Sequence, residues 1–276
     1  MLSQPFIQHA FLAGTAVAIA SGLIGYFLVL RAQTFTADAL SHVAFTGALA
    51  ALAFGLDARL GLFALTIGVA LLMGLLGPRG RADDVVIGGV FAWVLGLGVL
   101  FLSLYTTRRS GGNGAAGINV LFGSIFGLSV GRVWVTVVIA AAVVTLVLVG
   151  WRPLLFTTLD DTVAAGRGLP VRAIGLGFLA LTGTTAAEAT QVVGALLLLG
   201  LLAAPAGAAI QLTTRPAAGA LVSTAVAVLS VWIGLTIAYA VPRVPPSFGI
   251  VAVATLAYVT AVGWQHSRTR RMALPA

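Results

Sequence analysis

Stretches of about twenty apolar residues alternate along this chain with short clusters of Arg, Asp, Pro and Gly. A helix needs ~20 mostly apolar residues to cross a bilayer, so each stretch predicts a span. The first covers roughly 9–30 and closes at Arg31; the second runs from near Ala37 to about Leu56, with Asp57 and Arg59 behind it. A third, roughly 60–77, ends in Gly77-Pro78-Arg79-Gly80-Arg81, and a fourth runs from about Val85 to Tyr105 ahead of a Gly-rich loop at 110–114. Residues 118–130 are apolar but too short to cross, which predicts a re-entrant or interfacial piece. A fifth span, about Val133 to Gly150, precedes the longest polar interruption, Arg152 to Arg172. The apolar block 173–212 has room for two short spans, or for one span and a broken helix. The last two spans, roughly 217–241 and 248–265, flank Pro242, Pro245 and Pro246, and Arg268, Arg270 and Arg271 follow. The pattern predicts one all-α, polytopic transmembrane bundle over residues 1–276, with eight spans, or nine if 173–212 crosses twice.

Composition agrees. Of 276 residues, 60% are hydrophobic and 8% charged, against about a quarter charged in soluble domains. A mean hydropathy of +1.10 makes lipid the solvent for most of the surface. Met1 to Pro5 lack the basic start of a cleaved leader, so the first apolar run reads as a retained helix. All fifteen basic residues are Arg, and without a Lys the chain has no Walker-type phosphate loop and no ATP hydrolysis by that route. The absence of Cys removes thiolate metal sites and Cys nucleophiles. The net charge of +8 is spread singly and in pairs at span ends, with no basic stripe for nucleic acid. If 173–212 crosses twice, Arg31, Arg79, Arg81, Arg152, Arg167, Arg172, Arg215 and the C-terminal three share one side. The heavier side is cytoplasmic by the positive-inside rule, which puts 152–172 and a short tail at 267–276 there.

Ionisable groups inside lipid are costly and few. Asp38 and His42 are four residues apart in Thr36-Ala-Asp38-Ala-Leu-Ser41-His42, so they share a helical face one turn apart. A carboxylate oxygen and an imidazole nitrogen suit zinc, manganese or ferrous iron. The alternative is structural, with Asp38 capping the helix start and His42 bonding a carbonyl. Glu188 reads as a water-facing residue at a turn between two short spans, or as a relay or gate on an ion path. Asp83 and Asp84 read as a solvated helix start, and His9 and His266 as interfacial. No catalytic constellation and no cofactor motif occurs: His-Glu-x-x-His and Gly-x-Ser-x-Gly are both missing.

Five segments, in order, resemble the permeases of zinc/manganese-type metal ABC importers. Phe35-Thr-Ala-Asp38-Ala-Leu-Ser41-His42 after Arg31 resembles the family's Asp-Ala-Leu-Ser-His segment, and Asp83-Asp84-Val-Val-Ile87-Gly88 its Asp-x-x-x-Ile-Gly helix start. Leu121-Phe122-Gly123-Ser124 matches its Leu-Phe-Gly-Ser element. Leu159-Asp160, Ala164 and Gly168-Leu-Pro170 resemble its Phe-Asp…Ala…Gly-Leu-Pro loop, and the helix from Val193-Gly194 to Pro205-Ala206 its Val-Gly-x-Leu-Leu…Pro-Ala helix.

The resemblance implies a bacterial cytoplasmic-membrane permease that passes a divalent metal ion inward, with ATP hydrolysed by a separate subunit. It makes Asp38 and His42 the metal ligands. It makes 152–172, with Asp160, Ala164 and Gly168, the coupling loop or helix that docks on the ATPase. The implied assembly has two permease copies, two ATPase copies and an extracellular metal-binding protein. Thr162 stands where an acidic residue is usual, Leu159 where Phe is usual, and Val120 replaces a common Tyr. Two rival readings are a proton-coupled secondary transporter and an ABC permease for metal chelates.

Overall fold

The computed structural model describes residues 4–108, 121 and 123–272; the Gly-rich loop at 110–114, Val120 and Phe122 lie outside the described residues. Eleven helices are described: α1 Pro5–Leu30, α2 Thr34–Ala53, α3 Ala58–Leu76, α4 Asp84–Arg108, α5 Val130–Val149, α6 Trp151–Leu159, α7 Asp161–Gly166, α8 Val171–Val193, α9 Leu198–Leu212, α10 Pro216–Ala240 and α11 Pro246–Met272. Seven of them are each long and apolar enough to cross a membrane, and α8 with α9 forms a further pair bent by 111°. The all-α transmembrane architecture expected from the apolar runs is the one observed.

Local chemistry sets the helix ends. Asp57 caps α3 by accepting from the Arg59 backbone N–H at 2.7 Å, and Asp83 accepts from Val86 N–H at 2.8 Å at the start of α4. Pro5, Pro216 and Pro246 sit in first turns, where the missing N–H costs nothing. The segment 152–172, read as a coupling loop or helix, is mostly two short helices, α6 and α7. The C-terminal segment expected as a tail from 267 continues the helix α11 to Met272.

The centre is built on small residues, which let helices approach closely where no hydrophobic drive separates protein from lipid. α1 runs through the middle, against α5, α8, α9 and α10. Its Gly25 lies against the Leu202 backbone, and Gly47 of α2 crosses Gly61 of α3 with no room for a Cβ on either. The outer faces of α4 and α5 remain apolar and open, with Trp93, Val99, Trp134 and Val138 all exposed.

Cross-links fix the course of the chain through 171–216. α8 begins beside Gly80 and Arg81's end of the bundle, with Gly175 against the Gly80 carbonyl. It ends at the opposite face, where the Gln191 carbonyl accepts from Ser124 N–H at 3.1 Å. α10 then starts back beside the end of α1: Gly219 packs on the Tyr26 ring, and Ser223 Oγ donates to the Gly22 carbonyl at 2.7 Å. The chain therefore returns through α9. That return puts Arg31, Arg79, Arg81, Arg167, Arg172 and Arg215 on one face, and Arg59, Arg132 and Arg243 on the other.

Residues 123–129, expected as re-entrant or interfacial, hold one short turn at Ile125–Gly127 and brace the α8–α9 corner. Gly123 has φ +75°, and a Cβ there would lie 2.5 Å from the Val192 carbonyl oxygen. Leu196 N–H donates to the Leu121 carbonyl at 3.3 Å, so the Leu121–Ser124 stretch bonds both the end of α8 and the break itself. The Leu-x-Gly-Ser element is where backbone polar groups freed by the break find partners.

Candidate functional site

α2 positions the predicted ion pair. It begins at Thr34, not at 37, so Asp38 stands in the second turn and caps nothing. By helix rise, Asp38 and His42 lie roughly 6 and 12 Å in from the Arg-rich end. Both side chains are half-buried. The His42 ring meets Phe91 of α4 edge-on at 5.1 Å, and one turn on Thr46 Oγ1 donates to the Val94 carbonyl at 3.2 Å, fixing the register of α2 on α4. Ser41 Oγ donates to the Asp38 backbone carbonyl at 2.7 Å, leaving the carboxylate alone. Among the described residues, neither the Asp38 carboxylate nor the His42 nitrogens have a hydrogen-bond partner, and no third His, Cys, Asp or Glu joins them in a ligand cluster. One carboxylate and one imidazole can hold a divalent cation only as part of a shell, with water or another chain supplying the rest.

A cavity of about 490 Å³ opens at the opposite face, lined among others by Leu52, Leu56, Arg59, Ser124, Arg132 and Gln191. Leu52, in the last turn of α2, lies on the flank of the helix that carries Asp38 and His42, and Leu56 follows in the turn beyond it. Along the helix, Leu52 is roughly 15 Å beyond His42, so cavity and pair do not merge in this conformation.

Glu188 corrects the reading of a water-facing turn. It lies within α8 and is 3% exposed. Its Oε1 accepts from Arg59 Nη2 of α3 at 3.3 Å and its Oε2 from Thr136 Oγ1 of α5 at 2.8 Å. A carboxylate in lipid needs such partners. The need was legible in the sequence, but the identity of Arg59, 129 residues away, was not.

At the Arg-rich face, Asp160 caps α7 by accepting from the backbone N–H groups of Thr162 at 3.0 Å and Val163 at 2.9 Å. Ala164, on the inner face of that helix, is fully buried, and Gly168 takes φ +79° to turn the chain into α8. Leu159 and Val163 project outward, 66% and 46% exposed. Asp161 bonds Arg79 Nη1 at 3.0 Å. Slight burial pushes the Asp161 carboxyl up, but the hydrogen bond and charge of Arg79, the charge of Arg81 and the Thr162 hydroxyl together hold it below its ordinary value.

In the sequence Arg31 marked a span boundary, one of the cytoplasmic-side arginines and the lead-in to the Asp38 segment, with no role of its own. It is 7% exposed, donates from Nε to Thr158 Oγ1 at 2.9 Å and from Nη2 to Thr157 Oγ1 at 3.2 Å, and lies 4.5 Å over the Phe178 ring. Burial, with the Arg81 charge adding and Asp161 opposing, lowers its guanidinium to about 9, leaving it protonated at neutral pH.

Comparison with known proteins covers nearly the whole chain. It is 27% identical over 262 residues to the manganese transport system membrane protein MntC of Listeria innocua, covering 95% of this chain and 91% of that protein. MntC of Halalkalibacterium halodurans is 32% identical over 216 residues, 78% of this chain and 72% of that one. The chelated iron transport system membrane protein YfeD of Yersinia pestis is 27% identical over 265 residues, 96% and 87% of the two chains. The solved structure of PsaBC from Streptococcus pneumoniae in complex with Fab shares the fold, with a TM-score of 0.80 at 24% identity over 94% of this chain and 91% of that one. With the ABC 3 transport family matching residues 3–265, this chain belongs to that family.

Proposed function

We propose that this chain is the membrane-spanning permease of an ATP-driven importer and passes a divalent first-row metal ion inward. Family membership and the manganese and iron relatives support the class of cargo. The observation that carries the site is the half-buried Asp38 and His42 pair on one face of α2, with both polar ends unsatisfied by the described protein groups. An incomplete shell is what a carrier needs, because ligands that close around the ion hold it and do not release it.

In this reading the Arg-rich face is cytoplasmic, and the ion enters by the cavity at the other face and follows that flank of α2. A second permease copy, packed on the open apolar faces of α4 and α5, brings its own Asp and His to complete the shell near the dimer axis. A cytoplasmic ATP-binding subunit seats on Leu159, Val163 and the cap at Asp160, and an extracellular metal-binding protein delivers the ion. Glu188, with both oxygens engaged, serves as a tie between helices at the mouth of the path and not as a free relay.

The test is metal accumulation in a transport-deficient strain expressing the complete complex, wild type or His42→Ala, against zinc, manganese and iron. Uptake of one metal, reduced at least about tenfold in an equally assembled variant, is expected, since one lost ligand costs at least the strength of a charge-assisted contact. Uptake retained in His42→Ala would remove the pair from the path. No uptake of any free metal by an assembled complex would point to a metal chelate as cargo.

A further inference from the structure

The junction between α1 and α2 is only three residues long, Arg31 to Gln33, and every one of them is fastened. Arg31 N–H donates to the Phe27 carbonyl, Ala32 N–H to Val29 and Gln33 N–H to Leu28, at 2.9 to 3.1 Å. Ala32 takes the left-handed φ of +54°, which a residue with a Cβ adopts only when its surroundings impose it. The Gln33 side chain donates to the Ala82 carbonyl at 3.1 Å, tying the junction to the start of α4. With Thr36 N–H donating to the Gln33 carbonyl at 3.1 Å, this corner joins Arg31 directly to the first turn of α2, the helix that carries Asp38 and His42.

The same arginine holds the segment on the other side. Thr157 and Thr158 Oγ1 each donate to the Leu154 carbonyl, at 3.1 and 2.6 Å. Their protons are spent there, so both hydroxyls turn lone pairs to the guanidinium of Arg31. Arg81 adds a bond from Nη2 to the Thr157 carbonyl at 2.6 Å. No carboxylate pairs with Arg31 among the described residues. It is gripped by two neutral acceptors on α6 and by the face of Phe178 on α8, the two elements that flank α7.

We propose that Arg31 is a positioning residue that carries displacement of the α6–α7 segment into α2, and so times the opening of the Asp38 and His42 pair without touching the ion. This rests on the reading of α6–α7 as the element that docks on the ATP-binding subunit.

The experiment uses the complete complex in proteoliposomes with ATP trapped inside and manganese, zinc or ferrous iron supplied outside with the metal-binding protein. Wild type, Arg31→Lys, Arg31→Met and Thr158→Val are compared for assembly, ATP hydrolysis and metal taken up per ATP. Lys keeps the charge but cannot bridge two hydroxyls while lying flat on a ring. Both Arg31 variants are expected to assemble and hydrolyse ATP while metal per ATP falls at least about tenfold, the scale of two charge-assisted bonds. Thr158→Val, which removes one acceptor and leaves Arg31 in place, is expected to lower it several-fold less. Metal per ATP equal to wild type in all three overturns the proposal, as does failure of all three to assemble, which would make the cluster a folding element. Because the chain has no cysteine, Leu159→Cys supplies a single site for cross-linking to the ATP-binding subunit. A cross-link with unaltered metal per ATP in the Arg31 variants sinks the transmission role alone. No cross-link in otherwise wild-type protein sinks the docking reading beneath it.

Discussion

Two arginines at opposite ends of the bundle are both drawn into the protein, and they are neutralised in different ways. Arg59 meets a carboxylate, that of Glu188, which is itself fastened to Thr136. Arg31 meets two threonine hydroxyls and an aromatic ring. If Arg59 moves away, Glu188 is left as an unpaired charge in an apolar interior, the costly outcome for a buried pair. If Arg31 slides, it leaves behind only neutral hydroxyls that are still bonded to Leu154. The first arrangement locks α3, α5 and α8 together; the second ties the α1–α2 junction to α6 and α8 without a carboxylate that its loss would strand. In the reading proposed above, where the Arg31 face moves and the Arg59 face holds, the moving end and the static end differ in the charge state of what each arginine holds.

The largest effect is expected where the lock is broken. Glu188→Ala strands Arg59, and removing one partner of a buried pair costs about 3–5 kcal/mol. Because the Arg59 side chain keeps 20% of its exposure, the lower end of that range applies. Thermal unfolding in detergent should show the loss, and the double replacement Glu188→Leu with Arg59→Met should recover most of it. A single variant as stable as wild type would mean that water already solvates this pair, and the contrast between the two arginines would collapse.

Two glycines sharpen the same contrast at intermediate size. Gly123 and Gly168 both have positive φ, +75° and +79°. A Cβ on Gly123 would meet the Val192 carbonyl oxygen at 2.5 Å and the Gly194 nitrogen at 2.8 Å, whereas nothing lies within 4 Å of one on Gly168. Gly168→Ala should then cost only the left-handed strain, about 1–2 kcal/mol. Gly123→Ala must add a displaced backbone at the α8–α9 corner, so it should cost more than Gly168→Ala by at least about 1 kcal/mol. Equal losses would show that the corner yields, and that the face bearing Arg59 is less rigid than its packing indicates.

The spans were legible because apolar length is a one-dimensional property, and the helix start at Asp83 because such a start needs an acceptor next to it in sequence. The bend at 194–197 surfaced only as an ambiguity of length. Glu188 was misplaced for a specific reason: Thr184, Thr185, Thr190 and Gln191 around it read as a polar turn. In the fold, Thr182, Thr184 and Thr185 each donate to the carbonyl four residues back, at 2.8 to 2.9 Å, which hides their polarity inside a continuous helix. Spacing put Asp38 and His42 on one face and left ligand and structural readings open, the resemblance favoured ligands, and their lack of nearby partners was not visible until α4 and α8 were in place. The roles of Arg31 and Arg59 depend on residues more than a hundred positions away, which no local pattern encodes.

The smallest effect belongs to the exposed pair beside the moving end. Asp161 and Arg79 are 22% and 53% exposed, and exposed pairs contribute about 0–1 kcal/mol. The sign with pH follows from the direction of the shift. The Asp161 carboxyl is held below its ordinary value in the folded protein, so its contribution is present above the unfolded carboxylate range, about 4, and fades as pH falls through the folded value. The difference in melting temperature between wild type and Asp161→Asn should therefore be small at neutral pH and vanish in acid, and raising salt at neutral pH should shrink it too. A difference that persists unchanged in acid would mean that Asp161 acts on α7 through packing. The moving end would then be held by more than the polar contacts of its arginines.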